Sequence, residues 1–168
     1  NQALAKEFGM PLVELPAYLT GGNIMTDGHH MAVSTQQMLD ESAPFCDEAC
    51  FLQVTADSMG LFDYFISLNP EVYGIQHIDC YAKFLDEEKV LVKELDTWHP
   101  EYQCVEDLAD LLGNIENCYG ERYQVVRIYC APYNGDEVAA YTNSLILNDK
   151  VYVPLFNIEK DQQAMDTY

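Results

Sequence analysis

The clearest pattern of hydrophobic and polar positions lies in the second half of the chain, where apolar side chains recur at helical spacing. These side chains are Val105, Leu108, Leu111, Leu112 and Ile115. Steps of three and four residues place them on one face of a helix, and Pro100 suits the first turn of such a helix. The pattern therefore predicts an amphipathic helix that packs its apolar face against another layer.

Short apolar runs bounded by turn residues predict strands in the rest of the chain. The predicted strands cover residues 11–19, 24–26, 31–34, 63–68, 90–95, 124–130, 140–147 and 151–155. Further helices are predicted at residues 1–10, 35–40, 47–59 and 159–168, with Gly9 and Gly60 ending the first and third of them. Residues 132–137 are predicted to form a polar loop.

Three strand–turn–strand patterns recur along the chain, at residues 24–33, 82–92 and 145–154. Their turns lie roughly sixty residues apart, with a helix and a strand between successive turns, which is typical of a repeated supersecondary unit. A ββαβ unit repeated radially gives a propeller-like ring, and fewer than three full units are present. The alternative is an ordinary α/β sandwich whose turn spacing is a coincidence.

Residues 76–85 combine an imidazole and a carboxylate at close spacing, in the sequence Gln-His-Ile-Asp-Cys-Tyr-Ala-Lys-Phe-Leu. This segment is also predicted to be a strand, in which His77 and Asp79 point to one face, while Ile78 and Cys80 point to the other. Such a pair can hold a cationic or planar polar substrate and move a proton near neutral pH. The alternative is a surface histidine and aspartate at the end of a strand.

The charge balance changes which ligands are plausible. The 168-residue chain is 49% hydrophobic, and its 28 acidic and 8 basic residues give a net charge of −20. This predicts one globular domain that repels nucleic acid and anionic membranes and favours cationic ligands, although solubility alone explains the charge equally well. No apolar run approaches the roughly 20 residues of a membrane span.

The six cysteines give a limited set of expectations. None of them forms a CxxC pair, which argues against a zinc site, and we expect no metal and no cofactor. Cys46 and Cys50 are close enough to form a disulfide if Cys46 precedes a helix. Cys104 and Cys118 lie near opposite ends of the predicted helix, about 20 Å apart, and are not expected to be bonded.

Three segments resemble the guanidino-group-modifying enzymes when they are taken in order. They are residues 20–28 (TGGNIMTDG), residues 77–85 (HIDCYAKFL) and residues 141–154 (YTNSLILN followed by VYVP). The resemblance is strongest to the bacterial, calcium-independent peptidylarginine deiminases, and agmatine deiminases are close relatives of these. It covers most of the chain, with residues 42–72 the least similar part.

The resemblance implies a pentein fold, a five-bladed α/β propeller of ββαβ units, of which about three would lie within residues 1–168. It also implies that a cysteine thiolate attacks the guanidinium carbon, that ammonia leaves, and that water releases a ureido product such as citrulline. By motif matching, His77 is the general acid/base, Asp79 grips the guanidinium, and Asn143 is the active-site asparagine. Asn23 and Asp27 are expected to support turns, with Asp27 also a candidate substrate-binding residue.

The chain departs from the family pattern at two places. The nucleophilic cysteine segment and an upstream Arg-Asp segment are not among residues 1–168, so the chain is expected to be a partial deiminase domain without a separate second domain. Cys80 is not expected to replace the nucleophile, since a strand would point it away from Asp79. Missing segments or a second polypeptide would then carry the catalytic cysteine.

Four functional hypotheses remain open at this point. The first is hydrolysis of arginine side chains in peptides, and the second is agmatine deimination, which would belong to putrescine biosynthesis. The third is a non-catalytic module that binds a small guanidino compound, and the fourth is a structural fragment whose partner piece carries the rest. We expect a secreted or cell-surface location for the first and a cytoplasmic one for the second.

Overall fold

Two three-stranded sheets of identical construction form the framework of the chain. The structure, a computed structural model, describes residues 2–69, 74–135 and 137–168. The helices are α1 Gln2–Glu7, α2 Gln37–Ser42, α3 Glu48–Met59, α4 Tyr102–Asn114 and α5 Asp161–Thr167, with the short 3₁₀ helices η1 Gly21–Asn23 and η2 Ile78–Cys80. The strands are β1 Met25–Thr26, β2 Met31–Thr35, β3 Asp63–Ser67, β4 Ala82–Phe84, β5 Lys89–Glu94, β6 Gln124–Tyr129, β7 Pro132–Asn134, β8 Glu137–Val138, β9 Leu145–Leu147 and β10 Lys150–Tyr152.

The repeat predicted from the sequence is present in both sheets. In the first sheet, β1 pairs antiparallel with β2, and β2 pairs parallel with β3 after the helices α2 and α3. In the second sheet, β4, β5 and β6 pair in the same way, with α4 as the crossover helix. The hairpin of β9 and β10 starts a third copy, which α5 follows. The ββαβ unit is therefore confirmed, while its arrangement into a propeller stays a prediction.

The main core lies between the second sheet and helix α4. The central strand β5 buries the consecutive residues Val90, Leu91 and Val92, so both of its faces are covered. Helix α4 covers this sheet with Val105, Leu108, Ala109 and Leu112. The helix predicted from the apolar spacing is thus confirmed, and its buried face is the one that the spacing indicates.

A smaller cluster packs beside the first sheet, where Phe51 is fully buried with Met38 and Cys46. Cys46 and Cys50 form a disulfide with Cα atoms 5.4 Å apart, as the sequence allowed. Asp47 caps the N-terminus of helix α3, because its side chain accepts a hydrogen bond from the amide of Cys50. Gly60 caps the C-terminus with a left-handed φ of 72°. Cys104 and Cys118 are both free, as expected.

Outside residues 76–85, two predicted elements are wrong and a third is shorter than predicted. Residues 11–19 form no strand, because Pro11 and Pro16 lack amide donors and Tyr18 hydrogen-bonds through its amide and carbonyl to the hydroxyl of Ser42. The predicted loop at 132–137 contains the short strands β7 and β8, although residue 136 lies outside the description. The strand predicted for 140–147 shortens to β9, because the amide of Asn143 closes a turn onto the carbonyl of Ala140.

Candidate functional site

The segment that carries His77 and Asp79 is a turn and not a strand. His77 has an extended backbone and precedes η2, which spans Ile78–Cys80. The strand predicted for this segment is therefore wrong, and the pairing begins only at Ala82. A 3₁₀ turn spreads successive side chains about 120° apart, so the face assignments that follow from a strand do not apply here.

A buried asparagine from the first sheet holds this turn in place. Asn23 is fully buried, and its Oδ1 accepts hydrogen bonds from the amides of Ile78 at 3.0 Å and Thr35 at 3.1 Å. The hydroxyl of Thr35 donates to the carbonyl of Gln76 at 2.6 Å. The GGN motif thus joins the first repeat to the turn before the second one, which agrees with the structural role predicted for Asn23.

Gly22 lies directly against both titratable side chains of the turn. A methyl group added at Gly22 would come within 2.8 Å of Nδ1 of His77 and 2.8 Å of Oδ2 of Asp79. Gly22 has no positive φ, so the position needs glycine because of this close approach and not because of its backbone conformation. The contact also shows that the imidazole and the carboxylate face one spot.

The surroundings of Asp79 change the pKa of its carboxyl. Burial raises the pKa of its carboxyl, while Lys83, the thiol of Cys80 and His77 act in the opposite direction. Burial also lowers the pKa of Lys83, and the neighbouring Asp79 opposes that change. A half-buried carboxylate with a nearby cation and imidazole is typical of a functional site, although structural ion pairs share this signature.

Asn143 approaches the same turn from the third repeat. Its side-chain amide lies 3.8 Å from Sγ of Cys80, and that sulfur lies 3.6 Å from Oδ1 of Asp79. The prediction that Cys80 points away from Asp79 is therefore wrong, because the turn brings their side chains together. The structure thus gathers His77, Asp79 and Asn143 around Cys80 and Gly22.

Several contacts fix the exposed Asn143 at this place. Lys83 donates to the carbonyl of Ser144 at 2.8 Å, and the hydroxyl of Tyr168 donates to the carbonyl of Tyr141 at 2.9 Å. The hydroxyl of Tyr141 in turn donates to Asp161 at 2.7 Å. The backbone on both sides of Asn143 is therefore anchored while its amide remains accessible to solvent.

Asp27 is used differently from the other predicted site residues. Its Oδ1 accepts from the amides of His29 and Met31, and its Oδ2 accepts from the hydroxyl of Tyr123 at 2.9 Å. These bonds close the β1–β2 loop and tie it to the second repeat, as the predicted turn role requires. Binding of substrate by Asp27 stays a prediction.

Two of the residues around the site were not singled out from the sequence. Gly22 belongs to the GGN motif, but only the fold shows which side chains it touches. Lys83 follows Asp79 by four residues, and the alternation of β4, in which Ala82 and Phe84 are buried, indicates that it points away from the core. The described residues contain no group of three or more His, Cys, Asp or Glu side chains suited to a metal ion. They also contain no helix long and apolar enough to cross a membrane.

The comparison with known families decides the affiliation. The sequence pattern of the Porphyromonas-type peptidyl-arginine deiminase family matches residues 1–168. The chain belongs to this family. Its members are guanidino-group-modifying hydrolases, which agrees with the resemblance carried by the three motifs.

Individual relatives match most of this deiminase family member and are about twice as long as the chain. A Yersinia pestis protein named "Putative agmatine deiminase" is 26% identical over 179 residues, which cover 90% of this chain and 48% of the relative. The chain therefore spans about half the length of the curated relatives it matches.

Two solved structures share the fold. The agmatine deiminase of Enterococcus faecalis superposes with a TM-score of 0.79 at 20% identity, covering 99% of this chain and 53% of that one. A Porphyromonas gingivalis protein titled "Putative Arginine Deiminase" gives a TM-score of 0.80 at 23% identity, covering 91% of this chain and 48% of that one. At these identities the two structures support the mixed α/β deiminase fold alone.

Proposed function

We propose that His77, Asp79 and Asn143 form part of a guanidinium-binding site, and that the protein to which they belong hydrolyses a guanidino group to a ureido group with release of ammonia. The observation that carries this proposal is the convergence of the three side chains. His77 and Asp79 share the contact at Gly22, and Asn143 reaches Asp79 through the thiol of Cys80.

Asp79 is proposed to hold the guanidinium. A guanidinium is planar and donates hydrogen bonds in a fork, so one carboxylate can accept two of them. The carboxylate must be ionised for this, and burial works against ionisation by raising its pKa. The nearby Lys83 and His77 favour the charged form, which is the form that accepts from a guanidinium.

His77 is proposed to move the proton. The reaction expels ammonia from a carbon that the nucleophile has attacked, and the departing nitrogen needs a proton. Histidine suits this task because its ordinary pKa lies near neutral pH. Its Nδ1 lies beside the position where Asp79 would hold the guanidinium, since both atoms approach the same point at Gly22.

The nucleophile is proposed to come from a part of the protein other than residues 1–168. Within the chain, burial raises the pKa of the Cys130 thiol to about 11, so that thiol stays protonated at neutral pH and suits a structural role. Cys80 lies in the cluster, in contact with Asp79 and Asn143. We propose that Cys80 lines the site, and a Cys80→Ser variant that retains turnover would support that role.

Agmatine is proposed as the first substrate to test, with peptidyl arginine as the second. The curated relative is named for agmatine, whereas the family is named for peptidyl arginine. Agmatine carries two positive charges, and a chain with a net charge of −20 attracts such a ligand. We place the enzyme in putrescine formation if agmatine is the substrate, and in citrullination of proteins if peptidyl arginine is.

The test is formation of the ureido product from agmatine and, separately, from an arginine peptide blocked at both ends. We expect activity from the longest natural protein that contains these residues and none from residues 1–168 alone. His77→Ala should leave binding largely intact and slow turnover by roughly 100- to 10,000-fold. Full activity of His77→Ala on both substrates would overturn the assignment, and binding without any turnover in the longest protein would favour a guanidinium-binding module.

A further inference from the structure

A lysine that takes no part in the chemical steps proposed above lies between the two halves of the site. Lys83 sits on β4, where its neighbours Ala82 and Phe84 are buried in the core. Alternation along a strand directs the lysine to the opposite face. Its ammonium donates to the carbonyl of Ser144 at 2.8 Å, across 61 residues of sequence.

The bond to Ser144 links the turn of Asp79 to the segment of Asn143. Asp79 precedes Lys83 by four residues, and Ser144 directly follows Asn143. A second link runs from Oδ1 of Asp79 to the thiol of Cys80 and from there to the amide of Asn143. The two links together close a ring of contacts between the second and third repeats, and Lys83 supplies a charged donor to this ring.

A cation at this place needs an explanation if the site binds a cation. An ammonium next to a guanidinium site repels the ligand directly, so a lysine is a costly choice for anchoring a carbonyl. A neutral donor such as glutamine would provide the hydrogen bond without the repulsion. The ammonium also interacts favourably with the carboxylate of Asp79, four residues before it.

We propose that Lys83 is the positioning residue of this site: its ammonium fixes Asn143 through the carbonyl of Ser144 and keeps Asp79 ionised for guanidinium binding. The role rests on the proposed function for its meaning in catalysis, but both of its parts are properties of the ligand-free protein.

The electrostatics of the surrounding groups agree with this role. The titratable groups that face Asp79 in the described residues are His77, Cys80 and Lys83. Burial raises the pKa of Asp79, and Lys83 is the largest of the influences that lower it. Asp79 reciprocally supports the charged form of Lys83, whose pKa burial lowers.

Three substitutions separate the charge of Lys83 from its hydrogen bond. Lys83→Met removes both, Lys83→Gln keeps a donor for Ser144 without the charge, and Lys83→Arg keeps the charge and a donor. The matched control is Lys89→Met, which removes a lysine from the same hairpin whose ammonium pairs with Asp86 at 3.1 Å. If Lys83→Met does not fold, comparison of Lys83→Gln with Lys83→Arg still tests the part played by the charge.

The first measurement is NMR titration of the Asp79 carboxyl and observation of the Asn143 side-chain amide, both in the ligand-free protein. The variants Lys83→Met and Lys83→Gln should raise the pKa of Asp79, whereas Lys83→Arg and the control Lys89→Met should not. Of these variants, only Lys83→Met should also shift the Asn143 amide signals. Unchanged Asp79 titration and unchanged Asn143 signals in folded Lys83→Met would overturn the proposal.

The second measurement is the pH dependence of agmatine binding. The pH at which binding reaches half its maximum should rise in Lys83→Met and Lys83→Gln, because the carboxylate of Asp79 then becomes protonated at a higher pH. Relief of direct repulsion changes the plateau affinity but does not move that midpoint. If the wild-type protein binds no guanidino compound, the proposed function fails, while the ligand-free titration still decides the role of Lys83.

Discussion

Gly22 lies against Asp79 so closely that a single methyl group on the glycine would come within 2.8 Å of the carboxylate oxygen. Real Cβ atoms avoid such a distance, so Gly22→Ala must displace the side chain of Asp79, and that of His77 with it. Misplacement by about 1 Å can cost roughly 100-fold in rate, and we expect binding of agmatine to weaken by roughly 10- to 100-fold. Isothermal titration calorimetry checks this.

Gly21→Ala is the matched control for that substitution. A methyl group at Gly21 meets nothing within 4 Å, and the residue has no positive φ. We expect its affinity for agmatine to stay within about twofold of the wild type, since surface substitutions of this kind change free energies by about 0.5 kcal/mol or less. Equal losses in the two variants would mean that the close approach of Gly22 has no role.

Asn23→Ala should destabilise the protein, because the buried Oδ1 of Asn23 accepts from the amides of Thr35 and Ile78. Each buried amide left without a partner costs about 1–3 kcal/mol, so for the two amides we expect a loss of about 2–6 kcal/mol in the free energy of unfolding. Urea denaturation measures it. Asn114→Ala, which removes an exposed amide on α4, should cost less than about 1 kcal/mol, and a similar small cost for Asn23→Ala would refute the bridging role.

Much of this architecture is predictable from the sequence. The regular spacing of Val105, Leu108 and Leu112 specifies α4 and its buried face, and the recurring hairpins specify the ββαβ unit. Both are local patterns, which periodicity reports directly. The motifs also select His77, Asp79 and Asn143, which the structure brings together.

The turn at residues 78–80 is not predictable in the same way. Its short alternation of polar and apolar residues resembles a strand, but the bonds from Asn23 and Thr35 to this region impose a 3₁₀ turn. These partners lie more than 40 residues away in sequence, so no local pattern reports them. The same applies to Lys83 and Ser144, whose contact depends on how two repeats pack.

The raised pKa of Asp79 has a consequence for stability. A carboxyl whose pKa is higher in the folded state binds more protons there than in the unfolded chain, so its contribution to stability falls as the pH rises through the folded pKa. Asp79→Asn should therefore raise the free energy of unfolding at pH 7. The gain should disappear below the ordinary pKa of aspartate, near pH 3.

Asp86 provides the opposite sign in the same experiment. Burial alone would raise the pKa of the Asp86 carboxyl. Hydrogen bonds from the amides of Glu88 and Lys89 and from the ammonium of Lys89 outweigh burial, so the pKa of Asp86 is lowered. Such a carboxylate stabilises the fold above its unfolded pKa, and that contribution is lost as the pH falls. Asp86→Asn should therefore destabilise the protein at pH 7. Urea denaturation from pH 3 to pH 8 measures both variants, and effects of equal sign at pH 7 would contradict this account.

The Cys46–Cys50 disulfide closes a short loop that includes the first turn of α3. Loop-closure entropy for a loop of this size predicts that reduction lowers the free energy of unfolding by about 2 kcal/mol. Urea denaturation with and without a reductant tests this. The double variant Cys46→Ala/Cys50→Ala should show no dependence on the reductant, while Cys104→Ser/Cys118→Ser should keep it. Sensitivity that persists in the first variant would place the redox-active pair elsewhere.

The most direct test of the central claim is calorimetric measurement of agmatine binding to the wild-type protein and to Asp79→Asn. The control variant is Asp63→Asn, which removes a carboxylate that pairs with His30 at the first sheet. The diamine 1,4-diaminobutane, which has no guanidinium, serves as the ligand control. Loss of charge-assisted hydrogen bonds at Asp79 predicts agmatine binding weakened by roughly 10- to 150-fold, with Asp63→Asn close to the wild type. Equal agmatine affinity in Asp79→Asn and the wild type, or equal binding of the diamine, would contradict a guanidinium site at His77, Asp79 and Asn143.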